Sequence, residues 1–384
     1  MNTEKRVQKL REVMDAKGID VSVIFNFENQ YYFSGLKAII YSRPIVLLVD
    51  KEKTALIIPS LEEEHAKAKA NVDELYVYHE VKSKTGQGGS YTEHFDTLLS
   101  RYPKGTVIGA EFASFSVKLE QIAHQHGAEL VSIDQEIVDM RAVKDEEEMA
   151  MIAESGRLVS LALKHSLENA AAGMSEIEMD QFGTRALFTE VAERHPNATL
   201  DYFVMSPSGV ERTNMPHVFS NTRQLEEQDI IIHSRQVGLN GYRAECERTF
   251  FIGRPTDKQK DAFKVAVEAQ AAALDFIKVG VTAKEVNEVA RKVIEKAGLE
   301  PYVNHRTGHG IGIGLHEEPS LRYDNNLVLK PGMAFCVEPG IYIPEVGGFR
   351  HSDTVILKEN GTELITEYPS DLESLVFDGV KQGV

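Results

Sequence analysis

The sequence predicts an α/β domain over residues 1–140 followed by a second domain of helices and glycine-rich strands over residues 141–384. Three patterns carry this. Short apolar runs recur through the first 140 residues between helical or turn-rich segments, as in an α/β layer structure. Asp145, with Glu148 three residues on, has the form of a helix-initiating capping box. Beyond it, long amphipathic stretches give way to alternating and glycine-rich segments.

In order, Val7, Leu10 and Met14 stand at helical spacing and stop at Gly18, and Val21 to Phe25 reads as a buried strand. Further strands are expected at 45–49, 55–58, 75–78, 107–110 and 130–133. After the cap at Asp145, Ile152, Gly156, Val159, Leu163 and Leu167 mark one helix face. A second helix is expected over 257–278, and Thr282 with Glu285 caps a third that ends at Gly298. Strands are expected within 229–252, 309–315, 333–343 and 349–357. The domain boundary at 140 rests on this pattern, since no proline- or serine-rich linker divides the chain.

The composition narrows the function. In 384 residues, 42 Lys and Arg stand against 59 Asp and Glu, a formal net charge of −17, which argues against nucleic acid or an anionic membrane surface as partner. No apolar run approaches the roughly 20 residues of a membrane span, and the charged N-terminus does not read as a signal peptide. Two cysteines, Cys246 and Cys336, cannot build a disulfide framework or a cysteine zinc site, so a reducing cytoplasm is the expected location.

Three segments concentrate unusual chemistry. Thr307 to Pro319 sets His309 and His316 among glycines, which allow close approach of backbone or ligand. Phe335 to Tyr342 is an apolar strand carrying one carboxylate, Glu338, which is expected to face a polar site because carboxylates are rarely buried without a partner. In Gly241 to Phe251, Glu245 and Glu247 lie two apart and project from one strand face, where they must meet a cation, a proton or water. Local hydrogen bonding is the competing, lesser reading for the two histidines, whereas Glu247 taken alone reads more readily as a structural partner of Arg248.

Together, the GHGxGxxxHEEP stretch from Gly308 and the VEPGIY stretch from Val337 resemble the creatinase, prolidase and methionine aminopeptidase family over essentially the whole chain. The resemblance implies an α/β N-terminal domain plus an α+β pita-bread catalytic domain. It also implies a homodimer in which one subunit's N-terminal domain closes its partner's active site. The family's peptidases hold two divalent metals with two aspartates, a histidine and two glutamates. Those positions fall here on Ser234, Glu245, His309, Glu338 and Ser352, so three of five have changed and two offer only a hydroxyl. His233 adjoins Ser234 but should face the opposite way.

The active-site pattern is closest to creatinase, the metal-independent branch. That resemblance makes His217 the proton carrier and Glu247 with Glu338 the holders of a substrate guanidinium, with His309 and His316 completing the wall. Tyr41 and Arg43 become the aromatic and carboxylate-binding residues of a loop, and Arg322 and Arg350 candidates for a second carboxylate clamp. Tyr41, where creatinase has phenylalanine, and Glu245, where it has a small residue, depart from the pattern. The expectation is a metal-independent, cofactor-free hydrolase of a linear C–N bond in a small guanidino, amidino or amide compound bearing a carboxylate. The alternatives are an Xaa-Pro dipeptidase binding metal through Glu245, His309 and Glu338, and a catalytically silent binding protein on the same fold. Ectoine hydrolase is a further metal-free relative.

Overall fold

The computed structural model describes residues 2–39, 43–81 and 89–378. The chain divides into two compact units, Met1–Met140 and Arg141–Val384.

In the first unit, α1 (Thr3–Lys17) is capped by the Asn2 side chain and ends at Gly18 in the left-handed region, φ 67°. Then follow β1 (Val21–Ile24), α2 (Phe27–Ser34), β2 (Val46–Asp50), β3 (Thr54–Pro59), α3 (Glu63–Lys69), β4 (Glu74–Tyr78), α4 (Tyr91–Leu99), β5 (Val107–Ala110), α5 (Val117–Gln125) and β6 (Glu129–Ser132). The strands form one six-stranded sheet in the order β4-β3-β2-β1-β5-β6. β1, β5 and β6 run parallel, as helical crossovers require. β2 pairs antiparallel with both β1 and β3, a reversal that periodicity alone does not show. The sheet's apolar side chains pack on α4 and α5 through Phe95, Leu98, Leu119 and Ala123. α6 (Asp134–Ala142) leads out of this unit.

The second unit opens with two capping boxes. Asp145 and Glu148 start α7 (Glu146–Glu168), and Ser175 and Glu178 start α8 (Glu176–Arg194). β7 (Leu200–Met205), the short α9 (Gly209–Thr213), β8 (Ile230–Leu239) and β9 (Tyr242–Ile252) follow, then α10 (Asp257–Phe276) and α11 (Ala283–Lys296). The rest is sheet: β10 (Gly308–Gly310), β11 (Glu317–Leu321), β12 (Ala334–Val337), β13 (Gly340–Ile343), β14 (Gly347–Arg350), β15 (Asp353–Lys358), β16 (Gly361–Leu364) and β17 (Val376–Phe377). One sheet runs β17-β9-β8-β7, another β11-β10-β12-β15-β16, and β13-β14 is a separate ribbon. A bridge between Glu247 and Ser352 joins the two larger sheets through paired backbone hydrogen bonds. The helices bury Leu158, Leu163, Phe263, Val286 and Ile294 in one apolar core with Phe250, Phe335 and Phe349 from the strands.

Three expected segments differ in detail. The strand expected over 309–315 is confined to Gly308–Gly310, and residues 311–316 continue as a loop. The 333–343 segment breaks into β12 and β13 around Glu338-Pro339, since proline cannot donate to a ladder. The 349–357 segment likewise divides between β14 and β15 at His351 and Ser352.

Candidate active site

The site grows from the β8–β9 hairpin. Its register sets Ser234 opposite Glu247 and Gln236 opposite Glu245, so all four side chains share one face. Ser234 and Glu245 are therefore diagonal neighbours. The opposite face carries His233 and Arg235, where Ser206 Oγ lies 2.7 Å from His233 Nδ1 and Arg235 Nε donates to His233 Nε2 at 2.9 Å. Burial, then Arg235, holds His233 well below its ordinary pKa, so it is a neutral structural imidazole. Arg248 also turns away and pairs with Asp353 at 3.0 Å.

On the active face, Glu245 is fixed by two neutral donors, Gln236 Nε2 at 2.6 Å and Ser352 Oγ at 2.7 Å. Glu247 is gripped by the fork of Arg350, Nε at 2.5 Å and the second terminal nitrogen at 2.9 Å. Arg350 also donates to Tyr342 Oη at 3.0 Å and lies 3.8 Å from Glu338. The guanidinium between Glu247 and Glu338 in this structure is thus the chain's own.

β10 and β12 complete the wall. His309 pairs directly across from Cys336, and Glu338 follows two residues after Cys336. The glycine at 308 has a steric cause, because a Cβ there would collide with the Cys336 carbonyl. The His309 side chain is fully buried, with Nδ1 2.9 Å from the Gly310 carbonyl. That contact places a proton on Nδ1, since a carbonyl can only accept. Nε2 has no hydrogen-bond partner and lies 3.5 Å from a Glu338 oxygen. The His316 ring is stacked at 3.9 Å between centroids. Burial, followed by His309 and Arg306, pushes its pKa down to about 4, so it is neutral at physiological pH.

Glu245, Glu247 and Glu338 bring one oxygen each within 4.8 Å of one another, and Glu245, His309 and Cys336 do the same with O, N and S. Burial first, then Glu245 and Glu247, pushes the Glu338 carboxyl well above the carboxylate range. Two lobes open from this cluster and share His217, His316, Glu338 and Arg350. One, of 640 Å³, is edged by Arg291, Arg306 and Arg322; the other, of 400 Å³, has the apolar walls Phe203, Met205, Phe219 and Leu315.

The structure thus brings together His217, Glu247, Glu338, His309 and His316 from the sequence reading, along with Glu245. Tyr41 lies outside the described residues. Arg43, in the first unit, pairs with Glu80 at 2.9 Å. Of the two carboxylate-clamp candidates, Arg350 is committed to Glu247, and Arg322 is ion-paired with Asp324 at 2.7 Å while lining the larger lobe. Sequence reasoning missed Gln236, His305, Tyr342 and Cys336. His305 Nε2 lies 2.8 Å from Tyr342 Oη, and burial, then Arg350, brings its pKa to about 4. Gln236 had a usable signal, since it shares the face of Ser234 two residues away.

The profile of metallopeptidase family M24 matches residues 150–359, and that of the creatinase/prolidase N-terminal domain matches residues 6–143. An Xaa-Pro dipeptidase from Pyrococcus furiosus is 30% identical over 373 residues, covering 96% of this chain and 99% of that protein. The solved structure of an Xaa-Pro dipeptidase from Bacillus anthracis superposes with a TM-score of 0.84 at 27% identity, covering 98% of this chain and 100% of the other. The prolidase from Pyrococcus horikoshii does so with a TM-score of 0.82 at 28% identity, covering 96% and 99%. No helix among the described residues is long and apolar enough to cross a membrane. By profile, relatives and fold, the chain belongs to metallopeptidase family M24, with a creatinase/prolidase N-terminal domain ahead of its pita-bread catalytic domain.

Proposed function

We propose that the protein hydrolyses the C–N bond of dipeptide-sized substrates in the manner of an Xaa-Pro dipeptidase. The observation that carries this reading is the meeting of a buried, unpartnered imidazole nitrogen with two carboxylates. His309 Nε2 faces Glu338 at 3.5 Å, with Glu245 alongside, at a point that both lobes reach. Whole-length relatives that are Xaa-Pro dipeptidases support it over the amidinohydrolase expected from the motif comparison.

The unpartnered His309 Nε2, 3.5 Å from a Glu338 oxygen and beside Glu245, fits one divalent cation held by His309, Glu338 and Glu245. The residues do not fit a second one, because Ser234 and Ser352 are neutral and Glu247 is held by Arg350. A cation in the first position would polarise a carbonyl and lower the pKa of water. The chain supplies the rest. His217, exposed in the shared mouth of the lobes, takes the proton of the attacking water and returns it to the departing nitrogen. Neutral His316 offers a hydrogen bond at the scissile group, and Gln236 with Ser352 keeps Glu245 in one orientation.

A creatinase-like amidinohydrolase is the second reading, favoured by the Ser234 and Ser352 hydroxyls and by Glu247, whose carboxylate a substrate guanidinium could reach on displacing Arg350. Full-length protein assayed on Xaa-Pro dipeptides and on guanidino and ureido acids, each with added divalent metal and with chelator, separates the two. Metal-dependent release of proline is the expected result. Turnover of guanidino acids in chelator, with Xaa-Pro dipeptides untouched, would establish the second reading instead.

A further inference from the structure

We infer that the cation of this site is held through sulfur, with Cys336 as a direct ligand beside His309 and Glu245, so that the site selects a thiophilic ion such as Zn²⁺. The inference rests on the one-cation site of the proposed function, puts Cys336 in place of Glu338 among its ligands with Glu338 beside the open position, and adds a metal class.

The geometry starts from the sheet. Cys336 and His309 are direct cross-strand partners on β12 and β10, the relation that brings two side chains of one face closest. One donor atom each from Glu245, His309 and Cys336 falls within 4.8 Å of the others, a spread that small side-chain rotations close to ligand distances. His309 Nε2 is an independent pointer, because it is fully buried and has no hydrogen-bond partner. Cys336 Sγ has only a weak contact, with Thr354 Oγ1 at 3.5 Å, so coordination would displace little. Access comes through the 400 Å³ lobe, which reaches Glu245 and Glu338.

The donor set then decides the metal. Oxygen ligands alone suit Mg²⁺ or Mn²⁺, whereas thiolate with imidazole suits Zn²⁺. Three protein ligands with a fourth position left for water or substrate is the pattern of catalytic zinc, and Glu338 borders that position. On binding, the Cys336 S–H bond breaks, its proton passes to solvent, a metal–sulfur bond forms and a metal-bound water leaves. Nothing is oxidised or reduced. Cys246 is buried against Asp353 at 3.8 Å and is outside both donor sets, so it serves as a control.

The test is a titration of metal-stripped, full-length protein with Co²⁺, followed by optical spectroscopy, with X-ray absorption on the Zn²⁺-loaded protein. We expect one ion per chain, a near-ultraviolet sulfur-to-cobalt charge-transfer band, and one sulfur scatterer at about 2.3 Å. Cys246→Ser retains both signals. Cys336→Ser loses them and binds Co²⁺ at least about tenfold more weakly, a change of roughly 1.4 kcal/mol. Absence of the band and of sulfur scattering in the unsubstituted protein overturns the inference whether or not the variant folds, as does a band that persists in Cys336→Ser or disappears in Cys246→Ser. Turnover of Xaa-Pro dipeptides without sulfur coordination leaves the proposed function standing and removes this inference; sulfur coordination without such turnover does the reverse.

Discussion

Two buried carboxylate sites in the catalytic unit are built to opposite charge balances. Glu317 has more cation than it needs, for the fully buried ammonium of Lys144 lies 3.2 Å away, Arg141 contacts its other oxygen, and the Gly314 N–H donates at 2.8 Å. The cluster of Glu245, Glu247 and Glu338 has three carboxylates within 4.8 Å, and the guanidinium that bonds to it, Arg350, is spent mainly on Glu247. Burial would raise the pKa in both places. Lys144 and Arg141 reverse it, bringing Glu317 to about 2, whereas neighbouring acids compound it at Glu338. The comparison separates structure from function: a carboxylate with surplus positive charge is finished, while one with surplus negative charge is waiting for a cation.

The largest effect is expected at the finished site. Glu317→Gln leaves two buried cations without their counterion and should cost about 3–5 kcal/mol of stability at neutral pH, read by denaturant unfolding. Because the folded pKa is depressed, this stability is present above about pH 4.5 and is lost as pH falls toward about 2. The variant's stability should therefore be flatter than the parent's across that window. A loss under about 1 kcal/mol would mean that Lys144 and Arg141 find other partners.

The same substitution at the waiting site should do the reverse. Glu338→Gln puts a neutral amide where burial and acidic neighbours disfavour the ionised carboxyl, so the metal-free chain should melt at a higher temperature than its parent. Its kcat/KM on Xaa-Pro dipeptides should nevertheless fall by about 10²–10³-fold, the scale on which a positioned electrostatic group contributes. Loss of both stability and activity would place Glu338 with Glu317 as a structural acid.

This contrast also explains what the sequence made legible. Caps at Asp145 and Thr282, the strand runs of the first unit, and the hairpin over residues 229–252 are local patterns and could be read directly. So could the shared face of Glu245 and Glu247, which their two-residue spacing on one strand fixes. Their charge balance could not be read, because it depends on partners far along the chain. Arg350 is 103 residues from Glu247, and Ser352 is 107 from Glu245. A motif states which acids converge; only the fold states which cation reaches them first. Arg350 stood in the sequence as a candidate clamp for a substrate carboxylate, yet the fold uses its fork on Glu247.

Arg350→Lys sharpens the comparison further by keeping the charge and removing the fork. Arg350 donates twice to Glu247 and once to Tyr342, and an ammonium reproduces the charge without the planar bidentate geometry. The expected cost is about 1.5–3 kcal/mol, the value of one charge-assisted hydrogen bond. Activity should fall as well, since Glu247 is released toward the lobes. Unchanged stability would mean that net charge alone, and not the fork, holds the cluster.

The smallest effect is expected at a third kind of buried acid, solvated by dipoles alone. Glu111, in the N-terminal unit, accepts from the Phe25 and Asn26 N–H groups on one oxygen, at 2.6 and 2.9 Å, and from the Asn29 side chain on the other. Burial outweighs these bonds and raises its pKa, so its ionised form is disfavoured in the fold. In Glu111→Gln, the amide oxygen can take the position that receives both backbone donors. The new NH₂ group then faces Asn29, whose amide can turn over and accept. The three hydrogen bonds to residue 111 survive, and the cost of a buried charge disappears, so stability at neutral pH should change by no more than about 1 kcal/mol. The parent's contribution from this acid is greatest below about pH 4.5 and falls as pH rises through the raised folded pKa, and the variant should lack that fall. A loss comparable to that of Glu317→Gln would show that dipoles bind this carboxylate as firmly as two cations bind the other, and the distinction between finished and waiting acids would have to be redrawn around geometry instead of charge.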